Sequence, residues 1–177
     1  MTVEQIDPTH LSALFSFVRK MGADLTVKER SATIISPARA TCADAVCAPY
    51  PALPTDLSPV LAAALARYGT GTLRDTVFPK RRSFLTPYHA LGANFVESED
   101  GAISFLSPDA SHADSVTVPD LRTGAGMVLY ALSLNTDTTV YDTQDYILRG
   151  YEHFTEKLNA LGACVCEETH EHRKENI

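Results

Sequence analysis

The sequence predicts an α/β fold built from recurring units of about 70 residues. Three segments, VRKMGADLTV, YHALGANFVE and NALGACVCE, carry Gly-Ala pairs that begin at Gly22, Gly92 and Gly162, at intervals of 70 residues. That interval is longer than a solenoid repeat and suits a small supersecondary block. Each glycine fits the position that ends a helix with a positive φ, and the residues after it are β-like. Helix, glycine and strand therefore form a shared junction.

The helices before these glycines are predicted to be amphipathic, because their apolar residues fall on one helical face. The three sets are Leu11, Leu14, Phe15 and Val18; Phe84, Leu85, Tyr88 and Leu91; and Phe154, Leu158 and Leu161. An earlier helix is predicted in PTDLSPVLAAALARYG, with Ser58 as N-cap and Pro59 at N1. Another is predicted in PDLRTGAGMVLYALS. The N-terminal unit has no counterpart of these two.

Strands complete each unit in the order βαβαββ. TGTLRDTVF and DTTVYDT follow the earlier helices, and their Thr, Val and Tyr content suits strands. LTVKERSATIIS and NFVESEDGAISFL are typical of hairpins, the second with an Asp100-Gly101 turn. We therefore expect one α/β (α+β) domain at 1–168, followed by a polar tail at 169–177. Its units are about 1–37, which is truncated, 38–107 and 108–168.

The composition argues against several classes of function. A length of 177 residues with 45% hydrophobic content suits one compact core. The formal net charge of -7 opposes non-specific binding to nucleic acid or to an anionic membrane. No apolar run reaches the ~20 residues of a membrane span, and the N-terminus lacks the order of a secretory signal. We expect a cytoplasmic protein with reduced cysteines and without nucleic-acid or membrane partners.

Charged residues gather near the predicted helix starts. Asp56 and Asp120 suit N-caps or near-caps, and from the residues alone this interpretation is favoured over a catalytic one. A cation in the first helical turn opposes the helix dipole by ~0.3–1 kcal/mol, so Arg81, Arg122 and Arg149 favour a site for phosphate or carboxylate. The alternative is a pair with a neighbouring carboxylate. A fourth arginine, Arg82, is expected to have only a surface role.

No metal or cofactor is expected. Cys164 and Cys166, with His170 and His172, offer zinc-type ligands, but their spacing matches no common structural zinc pattern. The chain also lacks G-x-x-x-x-G-K-[ST], a G-x-G-x-x-G after a strand, and a serine nucleophile elbow. Hydrolase and NAD-dependent functions therefore lose support.

Four segments carry motifs whose order and spacing are specific together: PYPALPTDL, GTGTLRDTVFPKRRSFLTPYHALGA, VPDLRTGAGMVL and RGYEHFTEKLNALGA. With their P-T-D, V-F-x-x-R, D-L-R-x-G-A and R-G-Y-E motifs, residues 10–167 resemble the C-terminal domain of UDP-N-acetylglucosamine 1-carboxyvinyltransferases. The L-G-A repeats alone would indicate only the wider enolpyruvyl transferase and RNA 3′-phosphate cyclase fold. That fold is an inside-out barrel domain made of βαβαββ repeats.

The resemblance implies roles by position. That family moves an enolpyruvyl group from phosphoenolpyruvate to the 3-hydroxyl of UDP-N-acetylglucosamine, in peptidoglycan precursor synthesis. Asp56 would then face the sugar hydroxyl and assist its deprotonation, and Asp120 would handle protons near the reacting carbon. Val77 and Phe78 would line the nucleotide-sugar site, Arg122 and Arg149 would bind the phosphoenolpyruvate anion, and Arg81, the arginine of V-F-x-x-R, would join substrate binding.

The chain also departs from the family. A complete member has a second domain with a lysine-asparagine pair, a loop bearing a reactive cysteine or aspartate, and further arginines. None of these is present, and neither Cys42 nor Cys47 matches that loop. We therefore expect a partial enolpyruvyl transferase that needs a complementary domain or a homo-oligomer.

Three alternatives remain open. One is a non-catalytic UDP-sugar-binding or assembly module, and another is an inactive truncated homologue. The third, the sister family of 3-phosphoshikimate enolpyruvyl transferases, would need lysine- and arginine-rich shikimate motifs that the chain does not show.

Overall fold

The computed structural model describes residues 1–109 and 113–168. The strands are β1 Thr2–Glu4, β2 Asp24–Lys28, β3 Ser31–Ile35, β4 Ala45–Cys47, β5 Thr72–Asp75, β6 Asn94–Glu97, β7 Ile103–Leu106, β8 Ser115–Thr117 and β9 Thr139–Tyr141. The α-helices are α1 Ser12–Lys20, α2 Ser58–Tyr68, α3 Leu85–Ala90, α4 Leu121–Ala131, α5 Tyr146–Gly150 and α6 Phe154–Ala160. Short 3₁₀ helices span Pro8–Leu11 and Thr55–Leu57. The predicted tail at 169–177 lies outside the described residues.

The strands form three separate sheets. β1, β3 and β2 make an antiparallel sheet in that order, and β4, β5, β7 and β6 make a mixed sheet in which β4 is parallel to β5. β8 and β9 form a parallel pair. No closed barrel forms within the described ranges, and the mixed α/β class predicted from the sequence is confirmed.

The helix-glycine-strand junction is confirmed at Gly22 and Gly92. The φ angles of Gly22, Gly92 and Gly162 are 93°, 83° and 95°, and α1, α3 and α6 end just before them. In the second unit the elements follow the predicted order β4, α2, β5, α3, β6, β7. In the first unit β1 occupies the place of β5, since each pairs antiparallel with the second strand of the following hairpin.

The predicted strand after Gly162 is wrong. Residues 163–168 have no regular structure, and within the described part of the chain no strand lies beside them. The side chain of Asn159 instead accepts from the N–H of Val165 and donates to its carbonyl, both at 2.8 Å. A β-like sequence without a partner leaves its backbone groups unpaired, so a local amide replaces the missing neighbour.

The N-cap prediction for Ser58 is also wrong. Leu57 occupies the N-cap of α2, and Ser58 is its first residue, with its hydroxyl turned into the core. The Ser58 Oγ donates to Asp75 Oδ2 at 3.1 Å and lies 3.3 Å from Cys47 Sγ. A hydrogen bond that the hydroxyl donates to a buried carboxylate is stronger than one that it accepts from an N–H group at a helix end, which explains the change of role.

The core lies where α2 packs against α4. Both helices are apolar around most of their circumference, as expected for helices enclosed by other elements. A Cβ added at Gly126 would lie 2.5 Å from Tyr88 Oη and 2.8 Å from the carbonyl oxygen of Pro59, so only glycine permits this approach. The Tyr88 hydroxyl donates to the same carbonyl at 2.8 Å. This close packing holds the first turn of α2 against the middle of α4.

A membrane-crossing helix is not found in the described ranges, because none of their helices combines the necessary length with the necessary hydropathy.

Candidate functional site

An ion-pair cluster forms where α2 and α4 begin. The Arg122 Nε lies 2.6 Å from Asp56 Oδ1, and the Arg81 Nη1 lies 3.5 Å from the same oxygen. The Asp56 side chain is 58% exposed, so the cluster faces solvent. Three residues predicted as site residues, from three different motifs, are thus in direct contact. We call Asp56, Arg81 and Arg122 the acid-arginine cluster.

The positions of the two arginines explain their pairing. Arg122 lies in the first turn of α4, where a cation opposes the helix dipole, and Arg81 lies in the loop between β5 and α3. The hydrogen bond to Asp56 raises the pKa of the Arg122 guanidinium further above its ordinary value, although partial burial opposes this. Arg81 and Arg122 thus pair with a neighbouring carboxylate, which was the alternative to an anion site. An additional external anion remains a prediction.

Asp120 is the N-cap of α4, as predicted. Its Oδ1 accepts from the N–H groups of Arg122 and Thr123, both at 3.0 Å, and its Oδ2 accepts from the Thr123 hydroxyl at 2.8 Å. The Ser83 hydroxyl lies 3.4 Å from the same Oδ2. The cap fixes the position of this carboxylate beside Arg122, and its role in proton handling stays a prediction.

Asp56 does not cap α2, so the N-cap interpretation is wrong for this residue. It lies in the 3₁₀ helix Thr55–Leu57, and α2 receives no side-chain cap. The carboxylate turns toward Arg122 and Arg81 because two guanidinium groups are stronger donors to it than backbone N–H groups.

The Val77-Phe78 pair lies beside the acid-arginine cluster. The guanidinium carbon of Arg81 is 4.3 Å from the centroid of the Phe78 ring, which is a cation–π contact. Val77 is 39% exposed and Phe78 is 48% exposed, although both are apolar. An exposed aromatic ring beside a fixed guanidinium offers a platform on which a flat polar ligand can stack.

A buried carboxylate beneath this surface was missed by the sequence interpretation. Asp75 is 6% exposed, and its Oδ1 accepts from the N–H groups of Val77 and Phe78, both at 2.9 Å. Its Oδ2 accepts from the hydroxyls of Thr55 and Ser58. Burial pushes the pKa of Asp75 upward, but these four hydrogen bonds outweigh burial, so the pKa is lowered. An aspartate at a strand end, followed by a loop, was the available signal.

Tyr151, the tyrosine of R-G-Y-E, is a second residue that the sequence interpretation missed. Burial raises the pKa of its hydroxyl, Arg122 opposes the rise, and Asp56 and Asp120 add to it. The tyrosine is therefore close enough to the cluster for the charges of Arg122, Asp56 and Asp120 to affect its pKa. Its membership of a specific motif was the signal that could have identified it.

Arg149 is not where the sequence predicted it. It lies in the last turn of α5 rather than at a helix start, and its guanidinium is 5.5 Å from the Tyr146 ring centroid. Within the described part of the chain, no hydrogen bond or ion pair joins it to the acid-arginine cluster. It stays nearby, however, because α5 packs on α4: a Cβ added at Gly150 would lie 2.2 Å from Leu121 Cδ1.

Arg82 has a structural role in the second unit. Its Nε binds Glu97 at 2.9 Å and its Nη2 donates to the carbonyl of Gly101 at 2.8 Å. Arg82 therefore ties the loop between β5 and α3 to the β6–β7 hairpin. It is half-buried rather than solvated, because the hairpin covers it.

The cluster lies on an open surface. Two cavities, of about 90 and 230 Å³, are found between α1 and the segment 44–57. Asp56, Arg81 and Arg122 line neither cavity. A reaction that needs exclusion of water would therefore require a second wall over the cluster.

The described residues contain no group of three or more His, Cys, Asp or Glu side chains placed to hold a metal ion. Cys164 and Cys166 are exposed, and His170 and His172 lie outside the described ranges. Cys47 is buried, and burial raises the pKa of its thiol.

Comparison with known proteins gives one family. The family model described as EPSP synthase (3-phosphoshikimate 1-carboxyvinyltransferase) matches residues 1–158. UDP-N-acetylglucosamine 1-carboxyvinyltransferase 1 of Symbiobacterium thermophilum is 32% identical over 93% of this chain and 37% of its own length. The Deinococcus deserti protein named UDP-N-acetylglucosamine 1-carboxyvinyltransferase is 33% identical over 92% of this chain and 38% of its own. The chain thus spans less than two fifths of the curated relatives it matches.

Solved structures give the same fold. The enolpyruvyl transferase NikO from Streptomyces tendae aligns with a TM-score of 0.76 at 23% identity, over 92% of this chain and 39% of that protein. EPSP synthase from Acinetobacter baumannii aligns with a TM-score of 0.68 at 20% identity, over 95% of this chain and 42% of that protein. At these identities the alignments establish the fold alone.

Proposed function

The chain belongs to the EPSP synthase family, and we propose that it supplies one wall of a site for enolpyruvyl transfer from phosphoenolpyruvate to UDP-N-acetylglucosamine. The acid-arginine cluster is the observation that carries this proposal, because residues of the P-T-D, V-F-x-x-R and D-L-R-x-G-A motifs meet there. The curated relatives with 32–33% identity carry the UDP-N-acetylglucosamine name. That name supports the UDP-sugar as the acceptor in this proposal.

Asp56 is the proposed base for the sugar hydroxyl. Both guanidinium groups approach Oδ1, and more than half of the side chain is exposed, so Oδ2 can accept a hydrogen bond from a bound hydroxyl. Val77 and Phe78 would contact the nucleotide sugar beside it. In this arrangement Arg122 fixes the carboxylate and Asp120 fixes the start of the helix that carries Arg122.

Arg122 and Arg149 are the proposed anion-binding pair. Arg122 belongs to α4 and Arg149 to α5, and the two helices are in direct contact at Gly150 and Leu121. Guanidinium groups suit the carboxylate and phosphate of phosphoenolpyruvate because each presents a fork of N–H donors. Arg149 would leave the Tyr146 ring to reach the anion, whereas Arg122 would keep its bond to Asp56.

The second wall would come from a complementary domain or from another copy of the chain. The chain covers less than two fifths of its curated relatives, and the cluster lies on an open surface. Apolar side chains are exposed at Leu148 of α5, which packs on α4, and at Leu129 and Leu132 at the C-terminal end of α4. Apolar surface of this kind is typical of an interface.

Non-catalytic UDP-sugar binding is the second candidate function. The 2.6 Å contact between Arg122 and Asp56 favours it, because Arg122 and Arg81 already occupy the Oδ1 of this carboxylate. Binding of the sugar with no release of phosphate, in the presence of a second wall, would distinguish this function from catalysis.

The test is reconstitution. The chain is mixed with the remaining part of the Symbiobacterium relative, and phosphate release from phosphoenolpyruvate and UDP-N-acetylglucosamine is measured. We expect release only when both parts are present, and Asp56→Asn should lower kcat about 10²–10⁴-fold. Asp24→Asn, which alters an exposed carboxylate on β2, serves as the matched control. Co-elution of the two parts with no phosphate release would contradict the proposal.

A further inference from the structure

We propose that Asp75 is a positioning residue, which holds the Asp56 turn and the Val77-Phe78 loop in the arrangement that the ligand meets. The inference rests on the proposed function, because it concerns the same surface. Asp75 itself lies beneath that surface, at the end of β5, and is almost fully buried. It therefore acts through other residues rather than on a substrate.

One oxygen of Asp75 binds the loop that contains Val77 and Phe78. Oδ1 accepts from the backbone N–H groups of Val77 and Phe78, two and three residues further along the chain. These bonds fix the direction in which the chain leaves β5, because the two N–H groups must point back at the same atom. The Phe78 ring then lies where the guanidinium of Arg81 stacks over it.

The other oxygen serves the turn that carries Asp56. Oδ2 accepts from the hydroxyl of Thr55, which directly precedes Asp56, and from the hydroxyl of Ser58 at the start of α2. The Thr55 oxygen also lies 3.4 Å from Arg81 Nη1. Asp56 is therefore flanked by two residues that are tied to the same buried carboxylate.

Two chains of contacts connect Asp75 to Asp56. From Asp75 one path runs through Thr55 to Asp56, and another runs through Phe78 and Arg81 to the same residue. Bonds to an ionised, buried carboxylate are stronger than bonds between neutral groups. Displacement of a positioned group by about 1 Å is enough to change affinity or rate strongly. Asp75 is thus placed to set the geometry of the predicted site without touching its ligand.

The sheet offers a matched control. Asp44, at the other end of the same parallel strand pair, accepts from the N–H of Thr72 at 3.0 Å and from its hydroxyl at 2.6 Å. Like Asp75 it is an aspartate that ties an end of this strand pair, but it is exposed and ties no residue of the acid-arginine cluster. Asp44→Asn therefore separates a general effect on the sheet from a specific effect on the site.

The perturbing variants are Asp75→Asn and Thr55→Val, with Thr55→Ser as the conservative variant that keeps the hydroxyl. Binding of UDP-N-acetylglucosamine and amide hydrogen exchange are measured well below each variant's unfolding midpoint, so that loss of the fold does not enter. We expect Asp75→Asn and Thr55→Val to weaken binding about tenfold or more. We expect Thr55→Ser and Asp44→Asn to bind within about twofold of the unsubstituted chain, a difference of at most ~0.4 kcal/mol.

Hydrogen exchange tests the positioning without a ligand. In Asp75→Asn the amides of Val77 and Phe78 should exchange at least about tenfold faster, while amides in α4 keep their rates. Unchanged exchange at these two amides, or unchanged affinity in both Asp75→Asn and Thr55→Val, would overturn the inference. If the unsubstituted chain fails to bind the nucleotide sugar, the proposed function fails, whereas the exchange rates still decide the role of Asp75.

Discussion

The second and third repeat units follow the same plan and end differently. In the second unit the chain after Gly92 forms β6, which pairs with β7, and β7 pairs with β5. In the third unit the chain after Gly162 forms no strand, and α6 contains no buried residue. The same helix-glycine signal therefore ends the helix in both units. Whether a strand follows depends on a partner strand elsewhere in the molecule.

The two units also use equivalent aspartates differently. Asp75, at the end of β5, holds a loop and two hydroxyls beneath the predicted site. Asp142, just after β9, accepts from the N–H groups of Tyr146 and Ile147 at 2.8 and 2.7 Å and so secures the start of α5. An aspartate at a strand end is thus a common device for the following turn. Only in the second unit is it connected to the acid-arginine cluster.

The largest contrast between the units is expected at two glycines with similar φ. A Cβ at Gly71 (φ 96°) would lie 2.1 Å from the backbone oxygen of Ala43, whereas a Cβ at Gly162 (φ 95°) meets nothing within 4 Å. We expect Gly71→Ala to lower the free energy of unfolding by more than about 4 kcal/mol and Gly162→Ala by about 1–2 kcal/mol. Urea denaturation measures both. Equal losses would show that packing does not distinguish the two units.

A second contrast lies in the equivalent strands β5 and β9. Leu73 of β5 is 1% exposed, while Val140 of β9 is half-buried. Leu73→Ala should lower the free energy of unfolding by roughly 2–5 kcal/mol, because it leaves a cavity in the core. Val140→Ala should lower it by about 1 kcal/mol. Chemical denaturation of the two variants checks this, and a larger loss for Val140→Ala would reverse the proposed order.

Much of the fold could be predicted from the sequence because its signals are local. A helix ending at glycine needs only the apolar face before it and a positive φ, and the Asp100-Gly101 turn needs only its own residues. Asp56, Arg81 and Arg122 were also found, because their motifs are short and specific. The structure brings these three side chains into contact, and their roles in a common site stay a prediction.

The remaining features depend on distant parts of the chain. Ser58 and Asp75 are 17 residues apart, and only the parallel pairing of β4 with β5 brings them together. The buried network was therefore invisible in the local pattern, and Ser58 resembled an ordinary N-cap. Residues 163–168 have a strand-like pattern, but a strand also requires a neighbour, which no local pattern reveals.

Stability toward acid should distinguish Asp75 from its surroundings. Its folded pKa is lowered, so ionised Asp75 stabilises the fold at pH values above the ordinary aspartate pKa of about 3.9. This contribution is lost as the pH falls through that value toward the folded pKa. Asp75→Asn should therefore flatten the fall in unfolding free energy between about pH 5 and pH 3. Urea denaturation across this range measures the effect, with Asp44→Asn for comparison. Equal flattening of the fall in both variants would contradict the contribution assigned to Asp75.

The smallest effect is expected at the end of the third unit. Asn159→Ala removes both side-chain bonds to Val165, but the segment is exposed. The free energy of unfolding should change by no more than about 0.5 kcal/mol, while the Val165 amide exchanges faster. A loss of several kcal/mol would mean that this segment contributes to the core as β6 does.

The most direct test of the proposed one-wall site is an amide chemical-shift titration of the 177-residue chain with UDP-N-acetylglucosamine, up to millimolar ligand. If this surface binds the nucleotide sugar, we expect saturating amide chemical-shift changes at Asp56, Phe78, Arg122 and Arg149. Little change is expected in β2 and β3 of the first unit. No shift at millimolar ligand, or shifts confined to residues away from the acid-arginine cluster, would contradict the claim that this surface recognises a nucleotide sugar.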